Sequence, residues 1–144
     1  MSDTGAPAPG DWNRAVIEEF RANGGKVGGP FEGTPVLLLT TTGSRTGRRH
    51  VTPVVYLELE GRVYVFASKA GAPTHPDWYR NLVADPSVTV ELGTETYPAQ
   101  AVEITGAERD RIYTEQASRF SNFAEYQVKT TRVIPVVALD RTSS

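Results

Sequence analysis

The sequence is dominated by short, β-branched apolar stretches that follow one another after very brief turns. Val36–Thr42 and Val51–Leu59 flank a turn at Gly43–Gly47, and Glu60-Gly61 leads straight into Val63–Ser68. Turns this short join antiparallel strands, whereas parallel neighbours need a crossover of about a dozen residues or more. The spacing therefore predicts antiparallel hairpins rather than alternating strand–helix units.

The rest of the pattern adds further strands and several helices to these hairpins. Pro53 and Pro98 each fall inside a predicted strand, and because proline donates no hydrogen bond they indicate a sheet edge or a bulge. Six short strands hide their edges best by closing into a barrel. The other predicted elements are helices over Asp11–Asn23, His75–Ala84, Gly106–Phe120 and Phe123–Lys129, and strands over Val88–Leu92, Glu95–Ile104 and Val133–Leu139.

The length of the chain, 144 residues, suits one domain with one core. We expect a disordered leader over residues 1–10, a single barrel domain over residues 11–140 and a polar tail over residues 141–144. The predicted fold class is therefore mainly β with flanking helices, an α+β arrangement around one barrel.

The composition excludes several kinds of chemistry. The chain has no cysteine, which rules out disulfides, thiolate nucleophiles and cysteine-ligated metals. Its two histidines, His50 and His75, lie far apart in sequence, so we expect no metal site. A formal net charge of -2 argues against nucleic acid as a partner. No apolar run is long enough to span a membrane and no signal peptide is evident, so we expect a cytoplasmic protein.

A basic turn between the first two strands is the first candidate site. Glycines at its two ends allow the backbone to approach an anion closely, and arginines can clamp a phosphate or carboxylate. A solvated hairpin tip with surface arginines is the alternative that composition alone favours. The candidate ligand-binding residues here are Ser44, Arg45, Thr46, Arg49 and His50.

The second candidate site lies where the third strand runs into the second helix. Ser68 and Lys69 end the strand and can donate hydrogen bonds to a ring oxygen or a phosphate. Trp78 is more often a core residue than a platform for a ligand, Asn81 can simply bridge turns, and His75 can be an ordinary loop residue. Both interpretations stay open from the residues alone.

A third candidate site is aromatic. Phe123 and Tyr126 are three residues apart and share a helical face, with Phe120 just before them. This face either covers an open end of the barrel or forms the wall of an apolar substrate pocket. The chain offers neither a catalytic triad nor paired carboxylates, so an enzyme with these residues would leave the difficult step to a cofactor.

Taken in order, these segments closely resemble the deazaflavin (coenzyme F420)-dependent nitroreductase and quinone reductase family, and the resemblance runs from about Asp11 to Leu139. No single motif is specific, but their combination in this order is. The segments that carry the resemblance are Leu37–Gly47, Pro53, Tyr56, Ala67–Lys69, Pro76–Leu82, Asp85-Pro86, Tyr126-Gln127 and Thr131–Val137.

The resemblance implies a split β-barrel of the FMN-binding, pyridoxamine-phosphate-oxidase-like type. It implies that reduced F420 donates a hydride to a quinone, a nitroaromatic or another activated unsaturated compound. It places Tyr126 and Ser68 in catalytic roles and Phe120, Phe123 and Tyr126 in the substrate pocket. The residues that it places around the cofactor are Ser44, Arg45, Thr46, Arg49, His50, Pro53, Ser68, Lys69, His75, Trp78 and Asn81.

The sequence departs from this family at three positions. The turn reads Ser44-Arg45 where the nitroimidazole-activating member carries Arg-Lys, and His50 stands where that member has arginine. Phe123 replaces a tyrosine that is implicated there in protonating the substrate. Phenylalanine has no proton to give, so nitro reduction should suffer more than quinone reduction.

Two other functions remain consistent with the sequence. One is an FMN-dependent oxidoreductase on the same barrel, and the other is a non-catalytic carrier of a deazaflavin or a lipid-like ligand. The pattern fits a monomer or a homodimer, and it leaves open a peripheral membrane contact through the N-terminal helix.

Overall fold

The architecture comes from a computed structural model, which describes residues 9–26, 35–68, 75–130 and 132–142 and only the backbone of residues 9–13. Most of the expected leader, most of the loop before β1, Lys69 with the rest of residues 69–74, and the last two residues lie outside this description. The helices are α1 (Pro9–Ala22), α2 (Asp77–Ala84), α3 (Gly106–Arg119) and α4 (Ser121–Lys129). The strands are β1 (Val36–Thr42), β2 (Arg49–Leu59), β3 (Arg62–Phe66), β4 (Ser87–Leu92), β5 (Glu95–Ile104) and β6 (Val136–Arg141).

The six strands close into one antiparallel barrel in the order β1-β2-β3-β6-β5-β4. The predicted fold class is confirmed: short hairpins form β1–β2, β2–β3 and β4–β5, and helices flank the barrel. Closure gives every strand two neighbours and so leaves the sheet without a free outer strand. One part of β2, residues 49–55, pairs with β1 but not with β3.

The inside of the barrel is an aliphatic core that α2 covers at one end. Leu37, Leu39 and Val137 are completely buried in it, and Trp78 and Leu82 of α2 belong to the same cluster. Alternate residues of β1 face outward and are buried as well, so this strand is apolar on both faces. We call this cluster the inner core.

Helix α1 packs on the barrel against β2 and reaches β4. Among the described side chains of α1, Val16 and Phe20 are the buried ones, as expected from their spacing of four. Arg21 binds Glu91 of β4 through a bidentate ion pair with N–O distances of 3.0 and 2.7 Å. The helix begins at Pro9 rather than at Asp11, so the last two residues of the expected leader are helical. Proline is well tolerated there because the first turn has no intrahelical use for its missing N–H.

A second cluster, the outer core, lies between the barrel wall and α3 with α4. It contains Leu57 and Phe66 from the barrel and Ile112, Tyr113 and Phe123 from the helices. The phenol of Tyr113 donates to the carbonyl of Phe123 at 2.5 Å, which joins the two helices. Burial of these aromatic rings is the main force that holds the helical pair on the barrel.

Several predicted boundaries shift by a few residues. Helix α2 begins at Asp77, preceded by Pro76 in extended conformation, and α4 begins at Ser121. Strand β6 begins at Val136 rather than Val133, because the amide of Gln127 binds the backbone of Arg132 and Ile134 and keeps that segment out of the sheet.

Candidate active site

The upper half of β2 is paired on only one side. Residues 49–55 pair with β1, but the ladder to β3 covers only Tyr56–Leu59. Among the described residues no other strand takes the place of β3 there, so within this part of the chain one backbone edge of β2 is unpaired. The side chains of residues 51–56 are half-buried, although most of them are apolar. We call residues 49–55 the open edge.

Pro53 lies in the middle of the open edge, with its nitrogen directed away from β1. The N–H of Tyr56 donates to the carbonyl of Pro35 at 3.1 Å, which marks residues 35 and 56 as a hydrogen-bonded pair. Hydrogen-bonded pairs alternate along an antiparallel ladder, so the pair of Leu38 and Pro53 is not one of them. Proline therefore costs this strand no hydrogen bond, and the expected edge position is confirmed. Pro98 is likewise placed where its strand's pairing to β6 ends.

The basic turn, residues 43–48, is fixed to the barrel by Asn81. This buried amide accepts from the backbone N–H of Ser44 at 3.0 Å and donates to the hydroxyl of Thr41 at 3.2 Å. Asn81 therefore links α2 to the end of β1 and to the basic turn. Because its side chain is only 9% exposed, the two bonds hold the turn in one position relative to α2.

Glycine at position 43 lets the side chains of Thr46 and His50 pack closely against the turn. A Cβ there would lie 2.8 Å from Nε2 of His50 and 2.9 Å from the hydroxyl of Thr46. Gly47 adopts a φ of 71°, which is the left-handed region that glycine populates freely. The hydroxyl of Thr46 accepts from the N–H of Arg48 at 3.2 Å, and so serves the turn rather than pointing freely to solvent.

Three arginines on and beside the turn lack an acidic partner. Arg45, Arg48 and Arg49 are exposed, and no described carboxylate pairs with any of them. Arginines elsewhere in the described chain mostly do have such partners, as Arg62 has with Asp140 at 2.8 Å. Three uncompensated cations at one end of the open edge attract an anion.

The predicted cofactor residues of β2 lie on opposite faces of the strand. His50 pairs with Thr41 and shares the inner side of the strand, whereas Arg49 and Pro53 are on the outer side. Arg49 donates to the hydroxyl of Thr89 on β4 at 2.9 Å, reaching across β1. One ligand can contact both groups only if it spans the open edge or the end of the strand at the basic turn.

The chain that leaves β3 is held by Arg132, a residue that the sequence did not single out for the site. Nη1 of Arg132 donates to the carbonyl of Ala67 at 3.0 Å, and Nη2 donates to the carbonyl of Ser68 at 2.7 Å. Nη1 also lies 3.0 Å from Nδ1 of His75. The N–H of Ala67 in turn donates to Pro135 at 3.0 Å. Ala67, Ser68 and His75 are thereby fixed where β3 diverges from β2.

His75 is further held by α2. Its ring packs on Tyr79 with centroids 4.8 Å apart, and the phenol of Tyr79 donates to the carboxylate of Glu103 at 2.8 Å. Burial, aided by Glu103, raises the pKa of Tyr79 to about 12. Burial together with the nearby Arg132 and Arg80 lowers the pKa of His75. The imidazole is therefore neutral at physiological pH.

Trp78 belongs to the inner core rather than to an exposed platform. Its side chain is 8% exposed and packs among the residues that fill the barrel. The structure thus places the indole in the core, the role that composition favours for a tryptophan. Any contact with a ligand involves only a small part of its ring.

The aromatic group forms a separate wall on the outer side of the barrel. Phe123 is buried and packs edge-on against Phe66, at 5.7 Å between ring centroids, and against Tyr126 at 5.2 Å. Phe120 and Tyr126 are half-buried at the rim of the outer core. The phenol oxygen of Tyr126 accepts from the amide of Asn122 at 2.9 Å, so its own proton is available to another acceptor.

The structure therefore brings Asn81, the basic turn and the open edge together, and sets Ser68 and His75 by the divergence of β3. Lys69 lies outside the described residues. Among those residues, no cluster of histidine and acidic side chains could hold a metal ion. None of the helices that the structure describes is both long and apolar enough to cross a membrane.

A closed six-stranded antiparallel barrel with flanking helices defines the class of split β-barrel proteins. The family model described as F420H(2)-dependent quinone reductase matches residues 12–141 of this chain. The chain belongs to this family. It is an oxidoreductase whose cofactor is coenzyme F420.

Individual relatives agree with the family. An F420H(2)-dependent quinone reductase of Mycobacterium tuberculosis is 35% identical over 129 residues, which cover 85% of each chain. A solved F420-H2 dependent reductase, FDR-A, superposes with a TM-score of 0.67 and 38% identity over 74% of this chain and 94% of its own. A structure described as a domain-swapped dimer gives a TM-score of 0.69 and 36% identity over 92% of this chain and 100% of its own.

More distant structures share only the fold. The heme storage protein HutZ of Vibrio cholerae superposes with a TM-score of 0.59 at 18% identity, over 92% of each chain. At this level of identity the match supports the split barrel and says nothing about the ligand. The barrel by itself therefore does not distinguish a deazaflavin from other ring cofactors, and the distinction rests on the family.

Proposed function

We propose that the ring of reduced F420 lies along the open edge of β2, with its anionic tail on the basic turn. The single observation that carries this assignment is the cluster of Arg45, Arg48 and Arg49, which have no described carboxylate partner beside a half-buried apolar strand edge. An anionic tail attached to a flat, largely apolar ring matches both parts of this surface. The residues present therefore fit the group that the family implies.

The turn contributes charge and rigidity to binding. Bidentate arginine contacts to a phosphate or carboxylate are charge-assisted, and each contributes about 1.5–3 kcal/mol. Asn81 fixes the turn through Ser44 and Thr41, so little conformational entropy is lost when a ligand is bound. In this proposal Thr46 shapes the turn, and Arg49 and His50 approach the ligand from the two sides of β2.

The chemistry that F420 supplies when bound is donation of a hydride. The protein orients the two reactants, excludes water from the apolar edge and provides the proton that completes reduction. A quinone that takes up a hydride and a proton becomes a hydroquinone. Orientation at reacting distance accounts for most of the rate that a site without acid–base residues can provide.

Tyr126 and Ser68 are the side chains that we assign to the reacting atoms. The phenol of Tyr126 accepts from Asn122 and keeps its proton, which it can donate to a substrate oxygen. Ser68 is held by the bond from Arg132 to its carbonyl, two residues after the end of β3. Phe120 and Phe123 supply the apolar wall against which a quinone ring would pack.

Quinones are favoured over nitroaromatics by the residue at position 123. Phe123 carries no proton, and the ring is buried among Phe66, Tyr113 and Tyr126. The anion that hydride transfer to a quinone would leave can take its one proton from Tyr126 or solvent, whereas nitro reduction by the route of the nitroimidazole-activating relatives would lack its donor. We expect Phe123→Tyr to raise nitroreductase activity relative to quinone reduction, measured as the ratio of kcat/KM for the two substrates.

The test of the proposal is binding and turnover with F420 set beside FMN. Tryptophan fluorescence should report tight binding of F420 and weak binding of FMN, and reduced F420 should be oxidised in the presence of menadione. Preference for FMN would overturn the assignment. Tight binding of F420 without turnover would instead support a carrier of this cofactor.

Assembly state and membrane contact remain predictions. A relative described as a domain-swapped dimer makes a homodimer worth testing, and light scattering on the purified protein measures it directly. Flotation with vesicles would test peripheral membrane contact.

A further inference from the structure

We propose that His75 is a neutral hydrogen-bond donor to a ring carbonyl of the bound cofactor, and that Arg132 is the positioning residue that fixes this state. The inference rests on the proposed function and adds to it a protonation state and a residue outside the predicted site. Its basis is the contact of 3.0 Å between Nη1 of Arg132 and Nδ1 of His75.

The contact determines the tautomer of His75. A guanidinium has only donors and stays charged in proteins, so the imidazole nitrogen facing it must accept. Nδ1 of His75 therefore carries a lone pair, and the proton of the neutral ring is on Nε2. Protonation of Nδ1 would break this bond and place two cations about 3 Å apart.

Arg132 is itself held in place by hydrogen bonds. Its guanidinium also donates to the carbonyls of Ala67 and Ser68, and its own carbonyl accepts from the amide of Gln127 at 2.8 Å. Burial lowers the pKa of its guanidinium, yet such a group remains a cation at any physiological pH. Arg132 therefore binds the backbone after β3 and the imidazole of His75 at the same time.

Among the described residues, the second ring nitrogen of His75, Nε2, is the one left to bind a ligand. Tyr79 packs on one face of His75, and no described residue hydrogen-bonds to Nε2. Among the described residues, the charged and titratable groups around the ring are Arg132 before β6, Arg80 and Tyr79 on α2, and Glu103 on β5. The half-buried ring stands beside Ser68, where β3 diverges from the open edge.

A neutral N–H donor at His75 favours an uncharged acceptor over an anion. A phosphate would gain from a protonated imidazole, which Arg132 opposes, so phosphate recognition is better left to the basic turn. A carbonyl oxygen needs only one N–H and no charge. The deazaflavin ring carries such carbonyls, and it is this part of the ligand that we place by Ser68.

The tautomer can be measured in the free protein, without cofactor. Because the chain has only two histidines, a long-range proton–nitrogen spectrum of labelled protein contains two imidazoles, and His75→Gln assigns them. We expect His75 to show an unprotonated Nδ1 and a protonated Nε2 through the neutral pH range. In Arg132→Lys we expect a mixture of tautomers and a His75 pKa closer to its ordinary value. An Nδ1-protonated His75 in the wild type would overturn the inference.

The contact with the cofactor is tested by binding. His75→Phe keeps the ring that packs on Tyr79 but removes the donor, and we expect F420 to bind about two- to tenfold more weakly, the change for one neutral hydrogen bond. His75→Gln places an amide N–H near the position of Nε2 and should recover most of the affinity. Thermal unfolding of each variant shows whether the fold is retained.

The outcomes separate this inference from the proposed function. If wild-type protein does not bind F420, the proposed function fails and this inference fails with it. If wild-type protein binds F420 and His75→Phe binds it equally well, only the inference fails. Rescue by glutamine but not by phenylalanine would not be expected from a purely structural role of the ring.

Discussion

The two halves of β2 have the same strand conformation but opposite surroundings. From Tyr56 to Leu59 the strand pairs with β3 and lies under the outer core, and Leu57 is 3% exposed. From Arg49 to Val55 it pairs only with β1, and residues 51–55 are half-buried. A closed barrel can thus reserve part of one strand for a ligand while the remaining ladders preserve the fold.

The difference arises from where β3 ends. Its pairing to β2 stops at Val65 opposite Tyr56, after which Ala67 turns to bind Pro135 and Arg132. Backbone groups that would have completed the sheet are satisfied by these side-chain and backbone contacts instead. The lower half therefore contributes to stability and the upper half is left available for binding.

The largest expected effect contrasts one residue from each half. Leu57→Ala removes a buried side chain from the outer core and should lower the free energy of unfolding by about 2–5 kcal/mol. Val54→Ala, on the open edge, should lower it by about 1 kcal/mol or less because the side chain is only half-buried. Denaturant unfolding of the two variants measures both values. Equal losses would mean that the halves are equally packed and that the open edge is not open in solution.

A smaller effect is expected on cofactor affinity from the basic turn. Arg45→Ala should weaken F420 binding about ten- to a hundredfold, the loss of one charge-assisted hydrogen bond, while unfolding is unchanged since Arg45 is exposed. Arg119→Ala is the matched control, because it removes an exposed arginine of α3 that pairs with Glu115. Fluorescence titration at two salt concentrations measures the change. Similar affinity in both variants would remove the turn from the site.

Much of this arrangement could be predicted from local sequence. Short turns and β-branched runs predict the hairpins, and Pro53 indicates a sheet edge or a bulge in its strand, of which the structure shows the edge. Hydrophobic spacing placed Val16 and Phe20 on the buried face of α1. Each of these features depends on residues close together in the chain, where turn geometry and side-chain period determine the outcome.

Arg132 could not be found in the same way. Its partners Ala67 and Ser68 are more than sixty residues away, and no periodic pattern or motif indicates that a lone arginine will reach them. The opposite placement of Arg49 and His50 required the strand register, and the burial of Trp78 required the position of α2 over the barrel. These features are set by tertiary packing, which local sequence does not determine.

A third prediction concerns α3, the helix on the side of the half of β2 that pairs with β3. Gln116 of α3 is completely buried, and neither its amide nitrogen nor its oxygen has a hydrogen-bond partner among the described residues. Unsatisfied buried polar groups cost about 1–3 kcal/mol, so Gln116→Leu should raise the free energy of unfolding by about 1 kcal/mol. Ser118→Ala, at an exposed position two residues away, is the control. A destabilised leucine variant would indicate that the amide binds a buried water or another group.

The smallest expected effect is on the pH dependence of stability, and it comes from His75, which lies where β3 diverges from the open edge. The pKa of His75 is lowered from 6.5 by burial and by Arg132 and Arg80, so the unfolded chain binds its proton at a higher pH than the folded protein does. Stability that is present above about pH 6.5 should therefore decrease as the pH falls from there to the lowered folded value, and remain level below it. Thermal unfolding across this range should show the decrease in the wild type and a smaller one in His75→Gln, whose side chain does not titrate. An identical pH dependence in both proteins would mean that the imidazole is as free to protonate beside Arg132 as it is in the unfolded chain.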